Sequence, residues 1–193
     1  MNPRPCREEI FKCYDEYFTH GSFRETHHSG MNQSNLLSER ILDVLLFGRC
    51  REREYYYKMR LLPPKPTGRL LDVGCGDGSF LALMDSIGWD VMGCEPDPEA
   101  ARIAKERFGL HVIAGMFEDI DITSNSFDAI TLSHVIEHTA DPYRTLRRCF
   151  NMLRNGGSLV LITPNIRSLG HRLFGSSWYN LDPPRHLVLF SPE

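Results

Sequence analysis

One stretch limits this chain more than any other: Leu70 to Phe80, reading LLDVGCGDGSF. An apolar run leads into three alternating glycines, Gly74, Gly76 and Gly78, with Asp72 and Asp77 beside them. A strand, a glycine-rich turn and a helix in that order open the nucleotide-binding βαβ unit. Spacing then narrows the ligand. A dinucleotide fold asks for G-x-G-x-x-G, which from Gly74 requires glycine at 79, where the chain has Ser79. A P-loop asks for Gly-Lys-Ser/Thr, and none follows. Two acids beside the turn repel a pyrophosphate and favour a ligand carrying an ammonium or sulfonium. Asp72 also has a purely structural reading, as an acceptor of backbone N–H bonds.

From Arg69 onward, short apolar runs alternate with helical spacing. The pattern predicts strands over 69–73, 90–94, 111–114, 127–133 and 158–163. Helices are predicted over 79–87, 98–108 and 142–153, with RNGG (154–157) as a turn. Such alternation implies an α/β, doubly wound, mostly parallel sheet with helices on both faces. Glu95 ends the second strand 21 residues after Gly74, where a carboxylate can accept both hydroxyls of a ribose. Its plainer reading is a solvated turn acid.

Upstream, REEIFKCYDEYF and LLSERILDVLLF have helical spacing, and PPKPTG (63–68) breaks the chain. Two domains are therefore expected: a helical lid or extension over 1–62 and the ligand-binding domain over 69–193. The net charge of −3 gives no general attraction to nucleic acid or anionic lipid. Six dispersed cysteines, none in a C-x-x-C pair, argue against a disulfide framework or zinc site. No run reaches the roughly 20 apolar residues of a membrane span. A cytoplasmic location is the expectation.

Five motifs fall in register: LLDVGCGDG, CEPD, GMFEDI, NSFDAITLSHVIEH and LRNGGSLVLITPN. Over about residues 69–165 the chain thus resembles the class I S-adenosylmethionine-dependent methyltransferases. More narrowly, EHTADP (137–142) resembles the E-H-x-x-D-P sequence of the branch containing the ubiquinone-biosynthesis O-methyltransferases. The resemblance implies S-adenosyl-L-methionine as cofactor and a small-molecule methyl acceptor. Gly74, Gly76 and Gly78 would then approach the methionine part and ribose, Asp72 would receive the amino group, and Glu95 would hold the ribose hydroxyls. Pro96 would flank the adenine, Met116 and Phe117 would sandwich it, and Glu118 or Asp119 would accept from its amine. The backbone at Ser133 and His134 would line the methionine side. The fold would include N-terminal helices and, in this chain, would lack the C-terminal strand pair.

Methyl transfer to a hydroxyl calls for a base, and His134 and His138 are the candidates. His138 is as readily a structural tie for the following loop. Some relatives hold a divalent metal with an acid, acid, histidine set, which would fall on His134, Glu137 and His138; histidine in the first place argues against a metal here. Trp178, Tyr179, Arg185 and His186, beyond the fifth strand, are placed to build an acceptor pocket, although Trp178 could simply cover the sheet. SPE at 191–193 has the signature of a helix start, so a truncated domain is expected. Its fifth strand would be an open edge and a route to oligomers. The alternative from another class is a cofactor-binding regulatory domain without catalysis; a nicotinamide-dependent dehydrogenase fails on glycine spacing.

Overall fold

The computed structural model describes residues 58–62, 68–122 and 124–192. The helices expected within 1–57 lie outside the described residues. Five strands, β1 (Arg69–Val73), β2 (Asp90–Glu95), β3 (Val112–Ala114), β4 (Phe127–Ser133) and β5 (Leu153–Ile162), form one sheet in the order β3-β2-β1-β4-β5. All pairings are parallel. The order reverses between β1 and β4, and such a switch point opens a crevice at the carboxyl ends of the strands.

Period-two alternation divides the core between the two faces. Leu70 and Ala129 face one side, where they pack with Leu81 and Met84 of α1 (Ser79–Ser86) and Ala101 and Ala104 of α2 (Pro98–Phe108). Leu71, Val73, Ile130 and Leu132 face the other, against Cys149 and Met152 of α3 (Pro142–Met152). Each large side chain buried this way contributes about 1.5–3 kcal/mol, so a strand apolar on both faces is stable only when covered on both. That is why β1 and β4 read as continuous apolar runs.

Helix starts follow local chemistry. Asp97 caps α2 by accepting from Glu99 N and Ala100 N, with Pro98 next; Asp141 caps α3 by accepting from Arg144 N, with Pro142 next. Gly109 closes α2 at φ 69°. One boundary differs from the expected pattern by more than a single residue. β5 starts at Leu153, opposite Phe127, and resumes with Ser158 opposite Ala129. Five residues of β5 thus span two of β4, so the RNGG turn is an excursion inside the strand, as a bulge permits.

After β5 the chain forms α4 (Leu169–Phe174) and two short 3-10 turns, Gly175–Ser177 and Tyr179–Leu181. It then returns along the top of the sheet. Leu187 N and Val188 N both donate to the Glu137 carbonyl, at 2.8 and 3.2 Å. Among the described residues, β5 has no strand on its outer side. No helix among them is long and apolar enough to cross a membrane.

Candidate functional site

The glycine turn sits at the carboxyl end of β1, beside the switch point. Gly74, Gly76 and Gly78 have φ of 70°, 55° and 79°, a region that side chains disfavour. Their needs differ. A Cβ on Gly74 would lie 2.5 Å from Val135 Cγ2, and one on Gly78 would lie 2.7 Å from Ala104 Cβ; at Gly76 nothing lies within 4 Å. Packing therefore explains Gly74 and Gly78, whereas Gly76 leaves open space.

Backbone and side-chain bonds fasten this turn to β2. Gly74 N and Cys75 N donate to the Cys94 carbonyl, and Gly76 N donates to Glu95 Oε2 at 2.8 Å. The other oxygen of Glu95 accepts from Asp97 N at 3.0 Å. Burial pushes the Glu95 carboxyl above its usual value, with these two N–H bonds opposing. Both oxygens retain a lone pair, so Glu95 can hold the turn and also accept from a diol. Asp77 is occupied locally, accepting from Ser79 N and Ser79 Oγ at 3.0 and 2.8 Å.

Asp72 is wholly buried. Its Oδ1 accepts from Thr131 Oγ1 at 2.7 Å and is ion-paired with Arg60, while Oδ2 is buried with no hydrogen-bond partner among the described residues. Burial pushes the Asp72 carboxyl up to about 6, although Arg60 and Thr131 pull it down. Arg60 also donates to Thr131 Oγ1 at 3.3 Å and lies over the Phe80 ring, 3.8 Å from its centroid.

A second group of side chains forms where β4 ends. His134 adopts φ 56°, unusual for a residue with a side chain and typical of functional sites. Its Nδ1 is 3.4 Å from Oε1 of the buried Glu137, an oxygen with no well-formed hydrogen bond among the described residues; Glu137 Oε2 accepts from Thr163 Oγ1 at 3.0 Å. Glu137 raises the His134 pKa above its ordinary value, with burial opposing. Burial pushes Glu137 up, but His134, backbone and Thr163 together hold it below the usual range. A carboxylate beside an imidazole, each favouring the other's charged form, is an arrangement suited to a general base.

The returning C-terminal segment completes this group. His138 Nδ1 donates to the Arg185 carbonyl at 3.1 Å and His186 Nδ1 to the Asn180 carbonyl at 2.7 Å. These bonds fix tautomers with the lone pair on Nε2. The two rings meet edge to face at 4.7 Å. Burial lowers the His138 pKa. Glu137, His138 and His186 bring one ligand atom each within 4.8 Å of one another. A carboxylate and two imidazoles suit a divalent transition ion, and Glu137 Oε1, buried and without a formed hydrogen bond among the described residues, fits such a role. The metal-type set in this chain thus includes His186, where the motif alone pointed to His134.

The remaining expected site residues divide. Pro96 is exposed and Met116 half-buried near the ends of β2 and β3, whereas Phe117 is buried in the core with Arg148 across its ring at 5.1 Å. Glu118 accepts from Thr145 Oγ1 of α3 at 3.2 Å. Ser133 is half-buried, and His134 N donates to the Ile162 carbonyl at 2.8 Å. Arg185 pairs with Asp182 at 2.6 Å and arrives with His186 beside His138. Trp178 and Tyr179 are not brought there. Trp178 packs on His171 and Gly170 of α4, and Tyr179 is 85% exposed. Neither Arg60 nor Thr131 belongs to a residue pattern that marks it for this site.

The domain is doubly wound, with a glycine turn at its switch point and two buried acids, Asp72 on β1 and Glu95 on β2, beside that turn. The chain belongs to the methyltransferase domain family, whose model matches residues 50–193. It is 29% identical over 166 residues to the ubiquinone biosynthesis O-methyltransferase of Cereibacter sphaeroides, covering 82% of this chain and 63% of that protein. It is 34% identical over 110 residues to the enzyme of the same name from Xanthomonas campestris, covering 52% and 44%. The chain therefore spans roughly half the length of these relatives. Among solved structures, it resembles a SAM-dependent methyltransferase from Archaeoglobus fulgidus with a TM-score of 0.55 and 23% identity, covering 83% of this chain and 69% of that one.

Proposed function

We propose that this domain binds S-adenosyl-L-methionine and transfers its methyl group to a hydroxyl oxygen of a small molecule. The observation that carries the proposal is the glycine turn. It is held open at Gly76 and tied to Glu95, directly beside Asp72 and the β1/β4 switch point. Glu95 would accept the ribose hydroxyls, and Asp72 the ammonium. The names of the relatives support an oxygen acceptor.

Methyl transfer from a sulfonium is an in-line displacement. The acceptor oxygen forms a bond to the methyl carbon as the carbon–sulfur bond breaks and its electron pair goes to sulfur. The donor arrives activated, so the protein aligns the two atoms and excludes water. His134 takes the acceptor's proton, and Glu137 stabilises the resulting imidazolium. His138, half-buried and bonded to the Arg185 carbonyl, orients the segment that carries His186. A divalent ion would be held by Glu137, His138 and His186 and would supply Lewis-acid polarisation of an acceptor oxygen; the displacement does not require it. The boundary at residues 63–68, with a helical extension before it and the ligand-binding domain after it, is part of the same proposal. So is a cytoplasmic location, to which the free, buried Cys75, Cys94 and Cys149 are suited.

The test is transfer of labelled methyl from S-adenosylmethionine to a panel of phenols, catechols and amines. Label on an oxygen acceptor, with S-adenosylhomocysteine formed in equal amount, is the expected result. Label appearing only on nitrogen acceptors would contradict the oxygen assignment.

A further inference from the structure

The solvent side of α3 carries charge that the described residues leave unpaired. Arg144, Arg147, Arg148 and Asn151 recur at helical spacing and share one stripe, while Thr145, Cys149 and Met152 fill the buried side. Alongside that stripe runs the segment that follows β3. Two bonds hold it to the helix: Thr145 Oγ1 donates to Glu118 Oε1 at 3.2 Å, and Arg148 Nη2 donates to the Ile120 carbonyl. Helix and segment flank a cavity of about 220 Å³, lined by Glu118, Arg144, Thr145, Arg147, Arg148 and Asn151. The glycine turn, Glu95 and His134 take no part in that lining.

Donors dominate the cavity. Each guanidinium offers its N–H groups in a planar fork, and the Asn151 amide adds two more. Glu118, the acid of the lining, is engaged by Thr145. Elsewhere Arg69, Arg102, Arg154 and Arg185 each pair with a carboxylate, but Arg144, Arg147 and Arg148 form no ion pair among the described residues. Arg148 is also fixed in place. Its guanidinium lies 5.1 Å from the centroid of the Phe117 ring, and its Nε is buried without a hydrogen-bond partner among the described residues. A half-buried charge attracts an anion more strongly than a fully hydrated one, and an ordered side chain has little freedom left to lose. Arg144 and Arg147, both exposed, stand on the solvent side.

We propose that this cavity is a phosphate-binding site, separate from the crevice at the glycine turn, for a phosphate group that is free or carried by a small molecule. Charge and size select that class. Three arginines against one carboxylate leave two positive charges, and a phosphate monoester carries about −1.5 to −2 at neutral pH. Guanidinium forks meet phosphate oxygens two at a time, a match that a lone carboxylate uses only once. The volume lies below the roughly 300–1,000 Å³ of pockets for drug-sized ligands, so it suits the phosphate and little beyond it. Arg148 receives the anion on the inner side, and Arg144 and Arg147 close on it from solvent.

The test is calorimetry on the full chain at low salt, with orthophosphate, ribose 5-phosphate and ribose as titrants. One saturable site for a phosphate, and no heat with ribose, is the expected result. Ribose 5-phosphate bound at least about tenfold more tightly than orthophosphate would mark a phosphorylated small molecule as the occupant, and comparable affinities would mark free phosphate. Arg148→Gln is expected to weaken phosphate about tenfold or more, the scale of a charged hydrogen bond. Should that variant fail to fold, the exposed pair Arg144→Gln and Arg147→Gln decides. Together they are expected to weaken phosphate severalfold, with an unchanged Tm and S-adenosylhomocysteine affinity within about twofold. No saturable binding of either phosphate up to about 10 mM would overturn the proposal. So would phosphate binding that these substitutions leave unchanged, or phosphate displaced by S-adenosylhomocysteine, which would put the anion in the donor crevice instead.

Discussion

Alanine at Gly76 and at Gly78 should separate ligand contact from packing. Both positions are left-handed, so each substitution carries a backbone cost of about 1 kcal/mol. At Gly78 the new methyl would lie 2.7 Å from Ala104 Cβ and 2.8 Å from Leu110 Cδ1, inside α2 and its following loop. Overpacking of that kind adds about 1–3 kcal/mol, for a total near 2–4 kcal/mol and a Tm decrease of roughly 5–15 °C. At Gly76 the methyl meets nothing within 4 Å, so stability falls only by the backbone cost, a Tm decrease of about 2–4 °C. The same methyl stands in the crevice that a ligand must enter to approach this backbone. Gly76→Ala should therefore weaken S-adenosylhomocysteine at least about 100-fold, a little under 3 kcal/mol, whereas Gly78→Ala protein that remains folded should bind within about tenfold of the parent. Thermal melts and calorimetry on the same samples give both numbers. Normal binding by Gly76→Ala would refute the placement of the ligand against this turn.

Further outcomes concern Asp72, His134 and chelation. Because the Asp72 carboxyl sits at about 6 and an ammonium favours its ionised form, affinity for S-adenosylhomocysteine should rise with pH through that value. It should be about tenfold weaker at pH 5 than on the plateau; a flat profile would exclude Asp72 as the ammonium's partner. The same raised value means that the folded chain retains a proton the unfolded chain releases, so this group's contribution to stability in urea should decline as pH rises from the ordinary carboxylate value of 3.8 through about 6. His134→Gln should lower kcat by about 10²–10⁴ with donor affinity unchanged. The parent's kcat should increase with pH through a value above that of an ordinary imidazole, and Glu137→Gln should move that midpoint down; a normal kcat in His134→Gln would remove it as the base. Chelation with EDTA should leave methyl transfer within about twofold, since the sulfonium carries its own activation. Activity lost to EDTA and restored by a divalent ion would bring Glu137, His138 and His186 into the chemistry.

Much of the sheet was legible because parallel strands covered on both faces must be apolar throughout, and 69–73 and 127–133 have few other ways to be stable. Helix starts at Asp97-Pro98 and Asp141-Pro142 were equally plain, since capping is local chemistry. Glu95 and the glycines stand out by spacing alone, and the structure joins them through the bond from Gly76 N to Glu95. What escaped was long-range. Nothing near Arg60 in sequence tells that a turn anchored by Met59 and Leu62 will carry its guanidinium to Asp72. His186 meets His138 only because the C-terminal segment docks on the Glu137 carbonyl. Aromatic character misled at Trp178 and Tyr179, where one ring packs on α4 and the other stands in solvent. The RNGG excursion shows the same limit: its glycines announce a turn, but the resumption of β5 pairing afterwards is decided by β4.

The most direct measurement is a calorimetric titration of the intact chain with S-adenosylhomocysteine, repeated with a nicotinamide dinucleotide. A single site of low-micromolar or tighter affinity for the first, and no heat of binding for the second, is the predicted result. Saturable binding of the dinucleotide with none of S-adenosylhomocysteine would contradict the assignment of the glycine turn to a methyl donor.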